Sequence, residues 1–222
     1  MYIESPAAAL VSAAPLLTRG ERMLLINQAV SGFAVQGGAI VRRKPLATLD
    51  ELRAYTCAAR GRRGAKQIRT LLTYAVENTA SPAEARVAAI LCLPACWGGY
   101  GLPLPEANAP VEVRVDGGAS ATRYVDLLWR RWMLVLEYDS DEFHVGAEKI
   151  GLDSDRRTAL QDAGYTVVTL TNLQFKSQAK FEGLARVLCN AMGRSFAPDV
   201  EGFAKRNAQL RSEMRSTRVF GV

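Results

Sequence analysis

The chain holds one histidine, His144, and four cysteines among 222 residues. Cys57, Cys92, Cys96 and Cys189 are too few and too scattered for a disulfide framework, so a reducing, cytoplasmic setting is expected. Cys92 and Cys96 stand at i, i+4, but a single imidazole cannot complete a zinc site around them; buried free thiols are the expectation. No stretch approaches the roughly 18 apolar residues of a membrane span, so no membrane partner is expected. Residues 6–17 are apolar and small, yet Glu4 precedes them and no positive segment does, so they do not read as a signal peptide. Internal repeats and low-complexity linkers are absent as well.

What is present is ordinary in bulk and uneven in placement. Hydrophobic residues make up 49% and charged residues 23%, which suits a globular protein with a sizeable core. Such a length fits one domain plus an appendage, or two small domains. Basic residues number 28 against 22 acidic, a net charge of +6. Arg60, Arg62, Arg63, Lys66 and Arg69 form one basic cluster, and Arg194, Lys205, Arg206, Arg211, Arg215 and Arg218 make the C-terminal stretch basic. Acids concentrate elsewhere, at Asp126, Glu137, Asp139, Asp141 and Glu142. A solvated basic surface is the plain reading. A nucleic acid held by its phosphates and cut at a metal is the sharper one.

Periodicity and turn chemistry give an outline. Residues 1 to about 75 read as mainly helical, with LATLDELRAYTCAA (46–59) capped by Thr48, KQIRTLLTYAVEN (66–78), and turns at Gly32, Gly37 and Gly38. SPAEARVAAILCL (81–93) is a helix with Ser81 at the N-cap, Pro82 at N1 and Glu84 at N3. WGGYGLPLPEANAP (97–110) reads as a loop, VEVRV (111–115) as a strand turned by Asp116-Gly117-Gly118, and 124–138 as a hairpin. A helix over 147–163 ends at Gly164, YTVVTLT (165–171) is a strand, and FEGLARVLCNAM (181–192) is a helix ended by Gly193. The order αβββαβ predicts an α/β fold with a mixed central sheet flanked by helices. Three segments follow: a helical N-terminal region (1–78), a catalytic-type domain (79–193) and a basic tail, helical or loose (194–222).

The most informative stretch is YVDLLWRRWMLVLEYDSDEFH (124–144). Two strand-like runs flank Arg130-Arg131. A tight turn there would pair Trp129 with Trp132 and set Asp126 opposite Val135. Glu137 and Asp139 share the face of Val135, so Asp126 and Glu137 become diagonal neighbours roughly 7–8 Å apart. A one-residue change in loop length would separate them onto opposite faces. Two like charges about 4 Å apart repel by roughly 4 kcal/mol at an effective dielectric of 20. A divalent cation resolves that conflict, and an all-oxygen ligand set points to Mg2+ or Mn2+. The competing reading of Asp126 is an edge-strand carboxylate paired with Arg123 or Arg130.

Further candidates surround the pair. Asp139 is a third ligand or a water-orienting group, whereas Asp141 and Glu142 read as solvated turn residues. His144 follows closely enough to fold back over the site and act on the attacking water or a phosphate. Glu84 has a competing role as the capping-box acid. Arg156 and Arg157, on the helix after the site with Asp153 and Asp155, can grip a phosphate.

SPAEARV, YVDLLW, LVLEYDSDEFH, the helix pattern DxDRR-x-x-AL-x-x-AG and YTVVTLT together resemble the very-short-patch-repair-like endonucleases. More narrowly, they resemble the domain-of-unknown-function branch of these enzymes within the PD-(D/E)XK nuclease superfamily. The resemblance covers about residues 80–193 and implies a restriction-endonuclease-like core. It implies a metal-binding role for Asp126 and Glu137, an acid on the first helix at Glu84, and the post-strand histidine at His144. Asp139 stands where the wider superfamily has Lys, so His144, Arg156 or Lys149 would have to substitute. The zinc site of the repair enzymes has no counterpart, so mismatch specificity does not carry over. ATLDELRAY and the basic Gly/Arg stretch resemble the small helical or winged-helix domain of abortive-infection antitoxins. The expected activity is metal-dependent hydrolysis of DNA, with RNA the alternative substrate, and Arg60, Arg62, Arg63 and Lys66 binding backbone phosphates. The rival expectation is a regulator on a decayed nuclease fold, binding nucleic acid or protein without cutting.

Overall fold

A computed structural model of the chain describes residues 4–114, 119–139, 147–196 and 200–215, with the backbone alone over 147–153. The chain divides into two compact units, Met1–Leu104 with Ala197–Val222, and Pro105–Phe196.

The first unit opens with α1 (Pro6–Ala13), α2 (Arg19–Ala29), a hairpin of β1 (Phe33–Gln36) and β2 (Ala39–Arg42), then α3 (Leu49–Ala58), α4 (Ala65–Leu71) and α5 (Pro82–Cys92). The caps read in the sequence are made. The Thr48 hydroxyl accepts from the Glu51 amide while the Glu51 carboxylate accepts from the Thr48 amide at 2.7 Å. Thr18 and Glu21 do the same for α2. The helices turn Leu24, Ile26, Leu52, Ile68, Leu72 and Ile90 inward, each essentially out of contact with solvent. The hairpin interrupts the region expected to be mainly helical. Gly37 and Gly38, at φ 57° and 82°, form its two-residue turn, and the strands on either side are four residues each. Segments that short carry almost no periodic signal, which is why only the turn was legible.

The second unit is a sheet of order β3 (Glu106–Arg114), β4 (Ser120–Trp129), β5 (Leu134–Asp139) and β6 (Thr166–Thr171), antiparallel but for the β5–β6 pair. The crossover α6 (Ala147–Asp162) joins β5 to β6, and α7 (Asn172–Lys176) and α8 (Gln178–Ala191) follow. This is the α/β class with a mixed sheet and flanking helices. Val111, Val113, Val125, Leu128, Val135 and, from α6, Leu160 form its core. Gly164 and Gly193, at φ 87° and 62°, end their helices as expected. β3 starts at Glu106, inside the stretch read as a loop, and buries Ala107, Ala109, Val111 and Val113 alternately. Pro110 masks this strand in the sequence, yet β3 lies at the sheet edge, where a missing N–H is tolerated.

The last helix, α9 (Phe203–Glu213), is the helical alternative expected for the basic C-terminal stretch, and it belongs to the first unit. Phe203 meets Tyr100 edge to face at 5.4 Å, and the buried Asn207 side-chain amide donates to the Gly98 carbonyl at 2.7 Å. Gly98, at φ 89°, must be glycine: a Cβ there would lie 2.4 Å from the Arg206 carbonyl oxygen. The division also groups α5 with the first unit, whereas the sequence reading placed this helix with the strands. Of the two cysteines expected to be buried, Cys92 is and Cys96 is exposed. Burial pushes the Cys92 thiol up out of reach of ionisation. Among the described residues, no helix is long and apolar enough to cross a membrane.

Candidate functional site

The hairpin that carries the acids turns differently from expectation. Trp129 pairs with Leu134, not Trp132, and Leu127 pairs with Leu136. A short 3-10 turn over Arg130–Trp132 and a left-handed Met133 (φ 46°) close the loop. The loop is thus four residues rather than two, and every pairing moves by two positions. Because side chains alternate with period two, that shift preserves the face. Continuing the observed register by one step sets Asp126 opposite Glu137, directly instead of diagonally.

Both ladders are interrupted at this point. The β4–β5 pairing stops at Leu127, and Asp126 Oδ2 instead accepts from the Tyr138 amide at 2.7 Å. On the other side, the β3–β4 pairing skips the step of Asp126, where Asn108 adopts φ 48°. Asparagine is among the few non-glycine residues at ease in that conformation. The Asp126 and Glu137 carboxyls lie close enough for each to act on the titration of the other.

Electrostatics at the pair is strained. Burial, then repulsion from Asp126, pushes the Glu137 carboxyl from 4.5 up to about 7, against the pull of Arg156. Burial likewise raises Asp126, opposed by the Tyr138 amide, by Arg156 and by the bond to Glu137. The two carboxyls titrate as a unit that retains a proton close to neutrality. Arg156, on α6, supplies the counter-charge: its Nη2 lies 3.2 and 3.4 Å from the Glu137 oxygens and also donates to the Tyr124 carbonyl. Its Nε is buried and bonds to nothing among the described residues.

Other expected site residues are distributed as follows. Asp139 is exposed at the end of β5, one alternation beyond Glu137. Glu84 is buried in the first unit, where its carboxylate accepts from the Ala80 amide and the Ser81 hydroxyl, each at 2.7 Å. His144, Asp141 and Glu142 lie outside the described residues, as do the side chains of Lys149 and Asp153. Asp126 is not the edge-strand partner of Arg130, whose guanidinium pairs with Glu106 at 2.6 Å. Arg157 donates to Thr169. Arg60, Arg62, Arg63 and Lys66 are exposed in the first unit, with Arg62 donating to the Tyr55 hydroxyl. Among the described residues, no cluster of three or more His, Cys, Asp or Glu side chains could hold a metal ion. Two participants escaped sequence reasoning. Arg156 appeared as a phosphate grip rather than as the counter-ion of Glu137, and Asn108 gave only the faint signal of an Asn within a Pro-rich run.

The sequence is similar to uncharacterized proteins from two strains of Mycobacterium tuberculosis, 33% identical over 140 residues. The aligned region covers 58% of this chain and 48% of those proteins, so the chain spans about half the length of the curated relatives it matches. No family model matches the sequence. No solved structure matches it.

Proposed function

We propose that the unit Pro105–Phe196 is a divalent-metal-dependent endonuclease domain that hydrolyses DNA phosphodiester bonds. The single observation that carries this reading is the half-buried carboxyl pair Asp126–Glu137, set side by side at an interruption of the sheet. Two neighbouring, half-buried carboxyls disfavour each other's charged form. Their retention makes sense where a cation binds them. An all-oxygen donor set fits a hard ion, and Mg2+ commonly takes one or two protein carboxylates with water and substrate oxygens completing its shell. Asp126 and Glu137 would hold the ion, with Asp139 near enough along β5 to contribute through water. Bound there, the ion supplies Lewis acidity and a nucleophilic water at neutral pH. The chain's own residues do the rest. The Tyr138 amide fixes the Asp126 carboxylate, and Arg156 lies where it can pass from Glu137 to a phosphate oxygen. His144 is assigned to the attacking water or the phosphate by its place in the sequence alone. The restriction-endonuclease-like identity of the fold is part of this proposal, supported by the βββαβ order of the second unit.

One observation favours a second reading. Arg156 already neutralises Glu137, and Asp139 replaces a superfamily Lys, as a decayed site in a binding protein would have it. The test separates the two. Supercoiled plasmid is titrated with Mg2+ and Mn2+ in the presence of wild type, Asp126→Ala or Glu137→Ala, with an RNA substrate in parallel. Metal-dependent nicking lost in both variants supports the nuclease. Cleavage unchanged in Asp126→Ala refutes it, and salt-sensitive binding without cutting favours the regulator.

A further inference from the structure

The first unit contains a cationic cleft unrelated to the carboxyl pair. Its volume is about 300 Å³, and Arg19, Arg22, Lys66, Gln67, Thr70 and Trp97 line it. These come from three separate parts of the chain: α2, α4 and the 3-10 turn Ala95–Trp97. Three of the lining side chains are cations and none is a carboxylate. Arg19 and Arg22 are close enough that Arg19 helps to hold the Arg22 guanidinium below its ordinary value, second to burial. Neither Arg19 nor Lys66 forms an ion pair among the described residues.

Two of the cations, Arg19 and Arg22, are positioned by contacts with the protein. The Arg19 guanidinium lies over the Trp97 ring at 4.5 Å, and Trp97 is itself braced edge-on by Tyr74 at 5.5 Å. Stacking on an indole leaves the in-plane N–H edges of a guanidinium pointing outward, the geometry that meets two oxygens of one oxyanion. Arg22 Nε donates to the Ala14 carbonyl at 2.6 Å, which holds the guanidinium of this cleft-lining residue. Glu213, which lines the adjoining hollow, accepts from the Gly20 amide at 2.8 Å and from the Gln209 side chain at 3.0 Å, and with Glu21 it also acts on Arg22.

We infer that this cleft binds a dianionic phosphate group, free or as a monoester. Glu213 and Glu21 partly offset Arg22, but Arg19 and Lys66 form no ion pair among the described residues, and a phosphate group with about −1.5 to −2 charge at pH 7 and three acceptor oxygens matches two such cations lining one space. The same group can arrive as inorganic phosphate, a nucleotide or the phosphorylated end of a nucleic acid, and the assay separates these sources. This inference does not rest on the nuclease reading.

The experiment follows the fluorescence of Trp97 in the full chain, with Trp97→Phe defining its share of the signal. Probes are sodium phosphate, sodium acetate at matched ionic strength, AMP, and one oligonucleotide with a 5′-phosphate or a 5′-hydroxyl. Phosphate is expected to bind more tightly than acetate, and Lys66→Gln and Arg19→Gln each to weaken it about tenfold, the scale of one charged hydrogen bond. Lys66→Arg should retain binding. Lys66 is exposed, so its variant keeps the fold, as a melting curve verifies. Asp126→Ala should bind phosphate as the wild type does, which separates this cleft from the carboxyl site. Tighter binding of AMP identifies a nucleotide source, and preference for the 5′-phosphorylated oligonucleotide identifies a strand end. Phosphate binding no tighter than acetate overturns the inference. So does an unchanged Kd in both Lys66→Gln and Arg19→Gln.

Discussion

Replacing Glu137 by glutamine should make the protein more stable at alkaline pH, although it removes an ion-paired side chain. The Glu137 carboxyl titrates at about 7 in the folded chain against an ordinary 4.5. A folded-state value raised above the unfolded one means that the native state holds the proton more firmly. Stability is therefore unaffected below about pH 4.5, falls as pH rises through 7, and levels off above that. The full difference corresponds to about 3 kcal/mol. Glu137 is only 20% exposed, so solvent screening removes little of it. Glutamine is isosteric and uncharged, so it escapes this loss; its side-chain oxygen can still accept from Arg156 but without the ionic component, and Arg156 stays attached to the Tyr124 carbonyl. A net gain of about 1–3 kcal/mol at pH 8 should remain, and for a chain of this size each kcal/mol raises Tm by roughly 2–4 °C. The assay is a pair of melting curves at pH 5 and pH 8 for wild type and Glu137→Gln. The curves should differ by no more than about 1 kcal/mol at pH 5 and separate further at pH 8 with the variant higher. A divalent cation at 100 times its Kd should add about 2.7 kcal/mol to the wild type at pH 8 and little to the variant. A variant less stable than wild type at pH 8, or an offset independent of pH, would refute the electrostatic reasoning.

Other expectations follow from single contacts. Asp126→Ala strands the Tyr138 amide and should cost about 1–3 kcal/mol in urea unfolding, whereas Asp126→Asn, which keeps an acceptor oxygen, should cost clearly less. Met133→Gly should stabilise by up to about 1 kcal/mol, because Met133 sits at φ 46° with its side chain partly in solvent. A melt below wild type would contradict that. Asn207→Ala removes the buried bond to the Gly98 carbonyl and should lower stability by about 1–3 kcal/mol, read as a loss of Tm. Ser81→Ala should cost about 1 kcal/mol by uncapping α5, visible as a loss of helical circular dichroism on mild heating.

What the sequence determined by itself was local. Ser81, Thr48, Gly164 and Gly193 marked helix ends because cap and turn chemistry involves neighbours a few residues apart. The common face of Asp126 and Glu137 was legible too, since period-two alternation survives any even change in loop length. The length of that loop was not. Met133 entering the left-handed region adds two residues, and its carbonyl is fixed by the Thr166 amide from a strand thirty-odd positions away. That tie is what turned a diagonal pair into a direct one. Tertiary structure also decided that Arg156 faces Glu137, because only the packing of α6 on the sheet brings a guanidinium to that carboxyl. The cleft around Trp97 was invisible for the same reason. Its cations are separated along the chain, and nothing local to Arg19, Arg22 or Lys66 records that folding sets them around one space.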